Sequence, residues 1–162
     1  MSKKILIIGA TDGIGLEAAK KLAAMGREVL IHGRHPAKLE AAAQALEEHA
    51  QFPLARYMVD LSDLAQVAAM ADEIVSEHRA LDVLLNDASI FRTPDPVLAN
   101  GMDVRFVVNA LAPLLLTRRP LPLLGNEGRV VNLLSAAQAP VDLDALTGKV
   151  QIPDHFGTYA QS

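Results

Sequence analysis

The residues best suited to chemistry are the stretch Gly9-Ala10-Thr11-Asp12-Gly13-Ile14-Gly15, which follows the apolar run Ile5–Ile8 and opens a helical pattern. A strand, a glycine turn and a helix N-terminus together make an anion site. The first helical amides lack partners, and the dipole end is positive. Glycines permit the tight turn and let backbone approach a phosphate without a Cβ between them. The spacing is G-x-x-x-G-x-G, and with its flanking strand and helix it points to a dinucleotide pyrophosphate. The competing reading is a tight turn with no ligand. A second signal is His32-Gly33-Arg34 at the end of the next apolar run. An acidic residue here would accept from an adenosine ribose 2′-OH. This chain has none, and Arg34 offers a fork of donors to a 2′-phosphate. A solvated strand-end arginine is the alternative. The charge pattern favours NADP(H) over NAD(H).

The elements that position these residues follow from hydrophobic patterning. Ile5–Ile8 reads as a strand buried on both faces. Gly13–Met25 reads as a helix with Ile14, Ala18, Leu22 and Met25 inward, and Gly26 as its C-terminal stop. Val29–Ile31 is a second strand. Pro36 starts a helix to about His49, and Pro53 closes that unit. Leu54–Asp60 is a third strand. Ser62 or Asp63 caps a helix to about Arg79, with Leu64, Val67, Ala71, Ile74 and Val75 inward. Asp82–Asn86 is a fourth strand. From about Leu98 to Leu124 the pattern is helical, bent or ended by Pro113, Pro120 and Pro122. Arg129–Leu134 is a fifth strand, and Ala136–Gly157 a loop without a period. Alternating strands and helices predict an α/β, doubly wound parallel sheet of Rossmann type. Five strands are one short of the complete six-stranded fold, so the second half reads as incomplete.

The chain has 162 residues, 51% hydrophobic, with a net charge of −4 and no cysteine. One domain, 1–162, is expected. The scattered basic residues argue against nucleic acid as a partner, and disulfide and thiolate chemistry are excluded. No apolar run approaches a membrane span, and a cytoplasmic location is expected. The five histidines show no metal-ligand spacing, and Asp142, Asp144 and Asp154 form no paired acid/base site.

Several motifs in order resemble the short-chain dehydrogenase/reductase family, from Lys4 to the end of the chain. The glycine stretch is similar to that family's cofactor motif, although Ile8 stands where Thr is usual. Asp60-Leu61 resembles the adenine-contacting position. Asn86-Asp87-Ala88-Ser89 stands where the family has Asn-Asn-Ala-Gly, which places Asn86 and Ala88 beside the cofactor. Asn109, Ser135 and Tyr159 resemble the catalytic Asn, Ser and Tyr. Gly101–Val104 and Asp142-Leu143 look most like the retinol-dehydrogenase-like branch.

The resemblance implies hydride transfer between a nicotinamide and a small-molecule carbonyl or alcohol. Tyr159 would move the proton, Ser135 would hold the substrate oxygen, and Asn109 would hold a relay water. The family's lysine, four positions after the tyrosine, falls beyond Ser162, as do the later strands and substrate loop. A C-terminally truncated member is therefore expected. The alternatives are a nucleotide-binding module with weak or no turnover, and a product that assembles with another chain. A fifth strand left as a sheet edge, and Phe106, Leu111, Leu114 and Leu115 on the long helix, lead to an expected homo-oligomer.

Overall fold

Apolar runs without polar alternation become strands covered on both faces. In the computed structural model, which describes residues 2–162, the chain begins β1 (Lys4–Ile8), α1 (Gly13–Ala24), β2 (Glu28–Gly33), α2 (Pro36–Glu47) and β3 (Ala55–Met58). It continues α3 (Leu64–Glu77), β4 (Val83–Asn86) and α4 (Val104–Phe106), then a π-helical turn (Val107–Leu111) and α5 (Ala112–Arg118). It ends α6 (Leu121–Leu124), β5 (Arg129–Asn132), α7 (Leu143–Leu146) and α8 (His155–Tyr159).

The five strands lie in the order β3-β2-β1-β4-β5, all parallel. The chain steps outward from β1 to β3, then returns to the other side of β1. That reversal leaves a crevice beyond the carboxyl ends of β1 and β4, where doubly wound sheets bind ligands. The expected Rossmann-like sheet is what forms.

Strand side chains alternate between two cores. Leu6 and Ile8 join Leu30, Leu84, Met70, Ile74 and Leu116 under α3 and α5. Ile5 and Ile7 join Val29, Ile31, Ala19, Ala23 and Leu46 under α1 and α2. Each of the buried Leu, Ile, Val and Met side chains contributes roughly 1.5–3 kcal/mol. A one-residue slip would swap the two sets, so packing fixes the register and with it the position of the glycine turn.

Caps set the helix starts. Asp63, the second of the two expected candidates, accepts from the Ala65 and Gln66 amides to begin α3. Pro36 opens α2, and Gly26 follows the end of α1 with φ +69°.

Several expectations are corrected. The buried face of α1 is Gly15, Ala19 and Ala23, while Ile14 is 68% and Met25 64% exposed. The helical period holds but its phase differs, because only small residues fit where α1 presses on the sheet. Val75 turns away from Ile74 and is 38% exposed. The third and fifth strands are shorter than expected, ending at Met58 and Asn132. The long helix starts at Val104 rather than Leu98, because Val97 pairs with Asp103 in an isolated bridge. Its π turn precedes Pro113, which has no N–H for the Asn109 carbonyl. Phe106 is buried within the chain, whereas Leu114 is exposed. The segment 136–157 holds α7 and the start of α8, each begun by an aspartate, Asp142 or Asp154, that accepts two backbone amides.

Candidate cofactor and active site

The glycine turn connects β1 to α1. Gly9 has φ +92°, and a Cβ there would come within 2.7 Å of the Ala88 amide nitrogen. The turn therefore packs backbone to backbone on the chain leaving β4. A Cβ at Gly15 would meet the Gly9 carbonyl oxygen at 2.2 Å and Asp87 Oδ2 at 2.6 Å. Gly15 is thus the point where α1 rests on the turn. Gly13, with φ +54°, faces open space. The helical ladder begins only with the Leu16 amide donating to the Asp12 carbonyl at 3.2 Å.

This turn forms one wall of a cavity of about 520 Å³. Gly9, Thr11, Asp12, Gly13 and Ile14 line that wall. Arg34 and Lys38 line a second, Asp60 and Leu61 a third, and Asp87 and Ala88 border the crevice between β1 and β4. Gly33 leaves room for Thr11, since a Cβ there would sit 2.2 Å from Thr11 Cγ2. Lys38 Nζ bonds Asp12 Oδ2 at 2.9 Å. That contact, with the Gly13 amide, holds the Asp12 carboxyl below the usual carboxylate range. Arg34 Nε donates to His35 Nε2 at 3.1 Å. Asp60 Oδ1 accepts from the Ser62 amide at 2.9 Å. Burial pushes the Asp87 carboxyl up, opposed by the Gly15 amide. A pocket with an open glycine turn, free of a Cβ at Gly13, and two cations on its lining suits a phosphate-bearing dinucleotide.

A second cavity, of about 640 Å³, shares Ala88 and Ser89 with the first. Asn109, Ser135 and Tyr159 all line it. Asn109 Oδ1 accepts from the Ile90 amide at 2.8 Å. Its Nδ2 donates to the Ile90 carbonyl at 3.0 Å and to Ser162 Oγ at 2.9 Å. The amide thus fastens the loop after β4 to the long helix. Ser135 Oγ accepts from the Ala137 amide at 3.0 Å. The Tyr159 ring leans on Phe91, centroids 4.9 Å apart. Arg105, 1% exposed, pairs with Asp103 and donates through Nη1 to the His155 carbonyl at 3.2 Å, which ties α8 to α4.

Of the residues expected around the cofactor, Gly9, Thr11, Asp12, Gly13, Ile14, Arg34, Asp60, Leu61 and Ala88 line the first cavity. Gly15 lies beneath the turn instead. Asn86 borders the second cavity, where its Nδ2 donates to Asn132 Oδ1 at 2.8 Å. Sequence reading missed His32, Lys38 and Asp87 as wall residues. Lys38 carried a usable signal, one helical turn after Arg34 and just inside a Pro-started helix. Among the described residues, no group of three His, Cys, Asp or Glu side chains could hold a metal.

The short chain dehydrogenase family model matches residues 3–142. Retinol dehydrogenase 13 of Mus musculus is 30% identical over 165 residues, covering 99% of this chain and 49% of that protein. The chain therefore spans about half the length of the curated relatives it matches. A short chain dehydrogenase from Shigella flexneri superimposes with TM-score 0.74 at 27% identity, over 98% of this chain and 60% of that one. A Shigella flexneri 2a structure complexed with NADP gives TM-score 0.71 at 28% identity, over 83% and 59%. The NADH-dependent reductase A1-R′ complexed with NAD gives 0.69 at 25% identity, over 84% and 60%. With this sheet, this glycine turn and these matches, the chain belongs to the short chain dehydrogenase family and is retinol-dehydrogenase-like in sequence.

Proposed function

We propose that the protein is an NADP(H)-linked oxidoreductase that interconverts a small carbonyl compound and its alcohol. The observation that carries this is the junction of two cavities at Ala88 and Ser89. One ends in the glycine turn, and the other holds Asn109, Ser135 and Tyr159. Similar structures carry NADP in one case and NAD in another, so the preference rests on this chain's own residues. Arg34 and Lys38 line the first cavity, and cations there favour a 2′-phosphate.

When bound, the nicotinamide supplies or accepts the hydride. The amides of the glycine turn would hold the pyrophosphate, and Asp60 and Leu61 would lie toward the adenine. Ser135 Oγ is held at the cavity rim by the Ala137 amide and donates its hydrogen to the substrate oxygen. The Tyr159 hydroxyl gives a proton to that oxygen in reduction, or takes one in oxidation. Asn109 keeps the loop after β4 in place through both of its amide atoms. In this reading Ser135 and Tyr159 are the catalytic pair and Asn109 positions the loop beside them.

The exposed strand β5, in which Arg129, Val131 and Asn132 face solvent, and the exposed Leu114 support a homo-oligomer. Among the described residues no helix is long and apolar enough to cross a membrane. The test is oxidation of NADPH and of NADH against a panel of aldehydes and ketones. Carbonyl-dependent loss of reduced nicotinamide absorbance, faster with NADPH, is expected. Binding of neither nucleotide refutes the proposal.

A further inference from the structure

His32 is the buried residue that the proposed reaction leaves without a task. It stands next to last in β2 and is 2% exposed. Its ring Nδ1 lies 3.3 Å from the Gly9 amide nitrogen, and its Nε2 lies 3.0 Å from the Val59 carbonyl oxygen. The partners dictate the tautomer. A backbone N–H can only donate and a carbonyl can only accept, so Nδ1 is the acceptor and Nε2 carries the hydrogen. The His32 carbonyl in turn accepts from the Ala10 amide at 2.9 Å. One residue thus takes two consecutive amides of the glycine turn.

We propose that the His32 ring is a positioning residue that sets the distance between the glycine turn and the Asp60 wall of the cavity, and thereby the affinity for the dinucleotide. The inference rests on the cofactor reading above and goes beyond it. Gly9 belongs to the turn that faces the pyrophosphate, and Val59 immediately precedes Asp60. On its other side Gly9 packs so closely on the Ala88 backbone that there is no room even for a Cβ. The ring is therefore the strut on the opposite side. Losing it leaves a Gly9 amide and a Val59 carbonyl unpaired inside the wall.

The strut works only when neutral. A protonated ring has no acceptor for Gly9. Burial lowers the His32 pKa below the ordinary histidine range, against the opposing pull of the Val59 carbonyl and the Asp60 charge. The ring is then neutral at physiological pH, and protonating it as the pH falls releases the turn. Other titratable or charged groups on the same cavity are Asp12, Arg34, His35, Lys38, Asp60 and Asp87. Of these, His35 is the one other histidine on that cavity.

The test is NADP+ affinity by calorimetry on the wild-type chain, His32→Leu and His32→Gln. Circular dichroism and thermal melts run in parallel. Glutamine carries one acceptor and one donor and can replace both bonds, whereas leucine fills the space with neither. His32→Leu should fold and bind at least tenfold more weakly, with His32→Gln within threefold of wild type. Wild-type affinity should also fall as the pH is lowered from 7, and His32→Gln should lose most of that fall. A folded His32→Leu that binds within twofold of wild type overturns the inference. If His32→Leu does not fold, the pH profiles decide, and parallel profiles for wild type and His32→Gln overturn it. A wild type that binds neither NADP+ nor NAD+ overturns the cofactor reading itself, and this inference with it.

Discussion

Gly15→Ala perturbs the contact on which the glycine turn rests. Two opposing effects can be weighed. Replacing glycine by alanine inside a helix gains about 0.5–1 kcal/mol. The new methyl, however, would sit 2.2 Å from the Gly9 carbonyl oxygen, about 1.2 Å inside the 3.4 Å where ordinary contact begins. The obstacle is backbone, so the turn and α1 must separate. Overpacking of this kind costs about 1–3 kcal/mol, occasionally more. The steric term wins by roughly 1–2 kcal/mol, which for a chain of this length lowers the melting temperature by about 2–8 °C. Displacing the turn by about an ångström also misplaces its amides, and a misplacement of that size can cost up to about a hundredfold. We expect NADP+ affinity to fall at least tenfold by calorimetry. Gly26→Ala is the control. Its φ of +69° is strained for alanine, yet its nearest neighbours are the Gln51 side chain, away from the cavity. It should lose about 1–2 kcal/mol of stability and bind NADP+ as wild type does. A Gly15→Ala protein that melts at or above wild type and binds NADP+ within twofold refutes the reasoning.

Three further outcomes are expected. Arg34→Ala removes a charged donor from an exposed wall, so NADPH should bind about tenfold more weakly while NADH changes less than about twofold; equal losses for both, by fluorescence titration, would remove Arg34 from the 2′-phosphate. Arg105→Met strands the buried Asp103 carboxylate and frees α8 from α4, costing about 3–5 kcal/mol. Hydrogen exchange should then rise across His155–Ser162, and the double variant Asp103→Asn/Arg105→Met should recover part of the melting temperature. Asp87→Asn removes a carboxyl whose pKa burial raises. The folded protein holds that proton more tightly than the unfolded chain, so the wild type loses stability as pH rises through this range. The variant should melt higher than wild type at pH 7 and equally below about pH 4. NADP+ should bind it roughly fivefold more tightly, from about 1 kcal/mol of relieved repulsion. Matching pH–melting curves would show that Asp87 carries no such penalty.

The parts of the molecule legible in the sequence are those where backbone conformation or burial demands a residue type. Ile5–Ile8 had to be a strand covered on both faces, and Gly9 and Gly13 adopt positive φ that other residues resist. The phase of α1 was hidden, because its inward face of Gly15, Ala19 and Ala23 carries little hydrophobic signal. α7 and α8 were hidden because each is a single turn begun by one aspartate. Asn109, Ser135 and Tyr159 emerged from the order of motifs, and the structure sets all three on one cavity. His32 could not be read in advance, since its partners come from the β1 turn and the end of β3, distant in sequence. For Asn86 and Gly15 the order of motifs points to the cofactor but not to their own surroundings: Asn86 donates to Asn132, and Gly15 lies where a Cβ would strike the Gly9 carbonyl.

The most direct measurement is calorimetric titration of the chain with NADP+ and, separately, NAD+. The account predicts a single site per chain, tighter for NADP+, and weakened by Gly15→Ala. Heat no different from buffer for both nucleotides would contradict it.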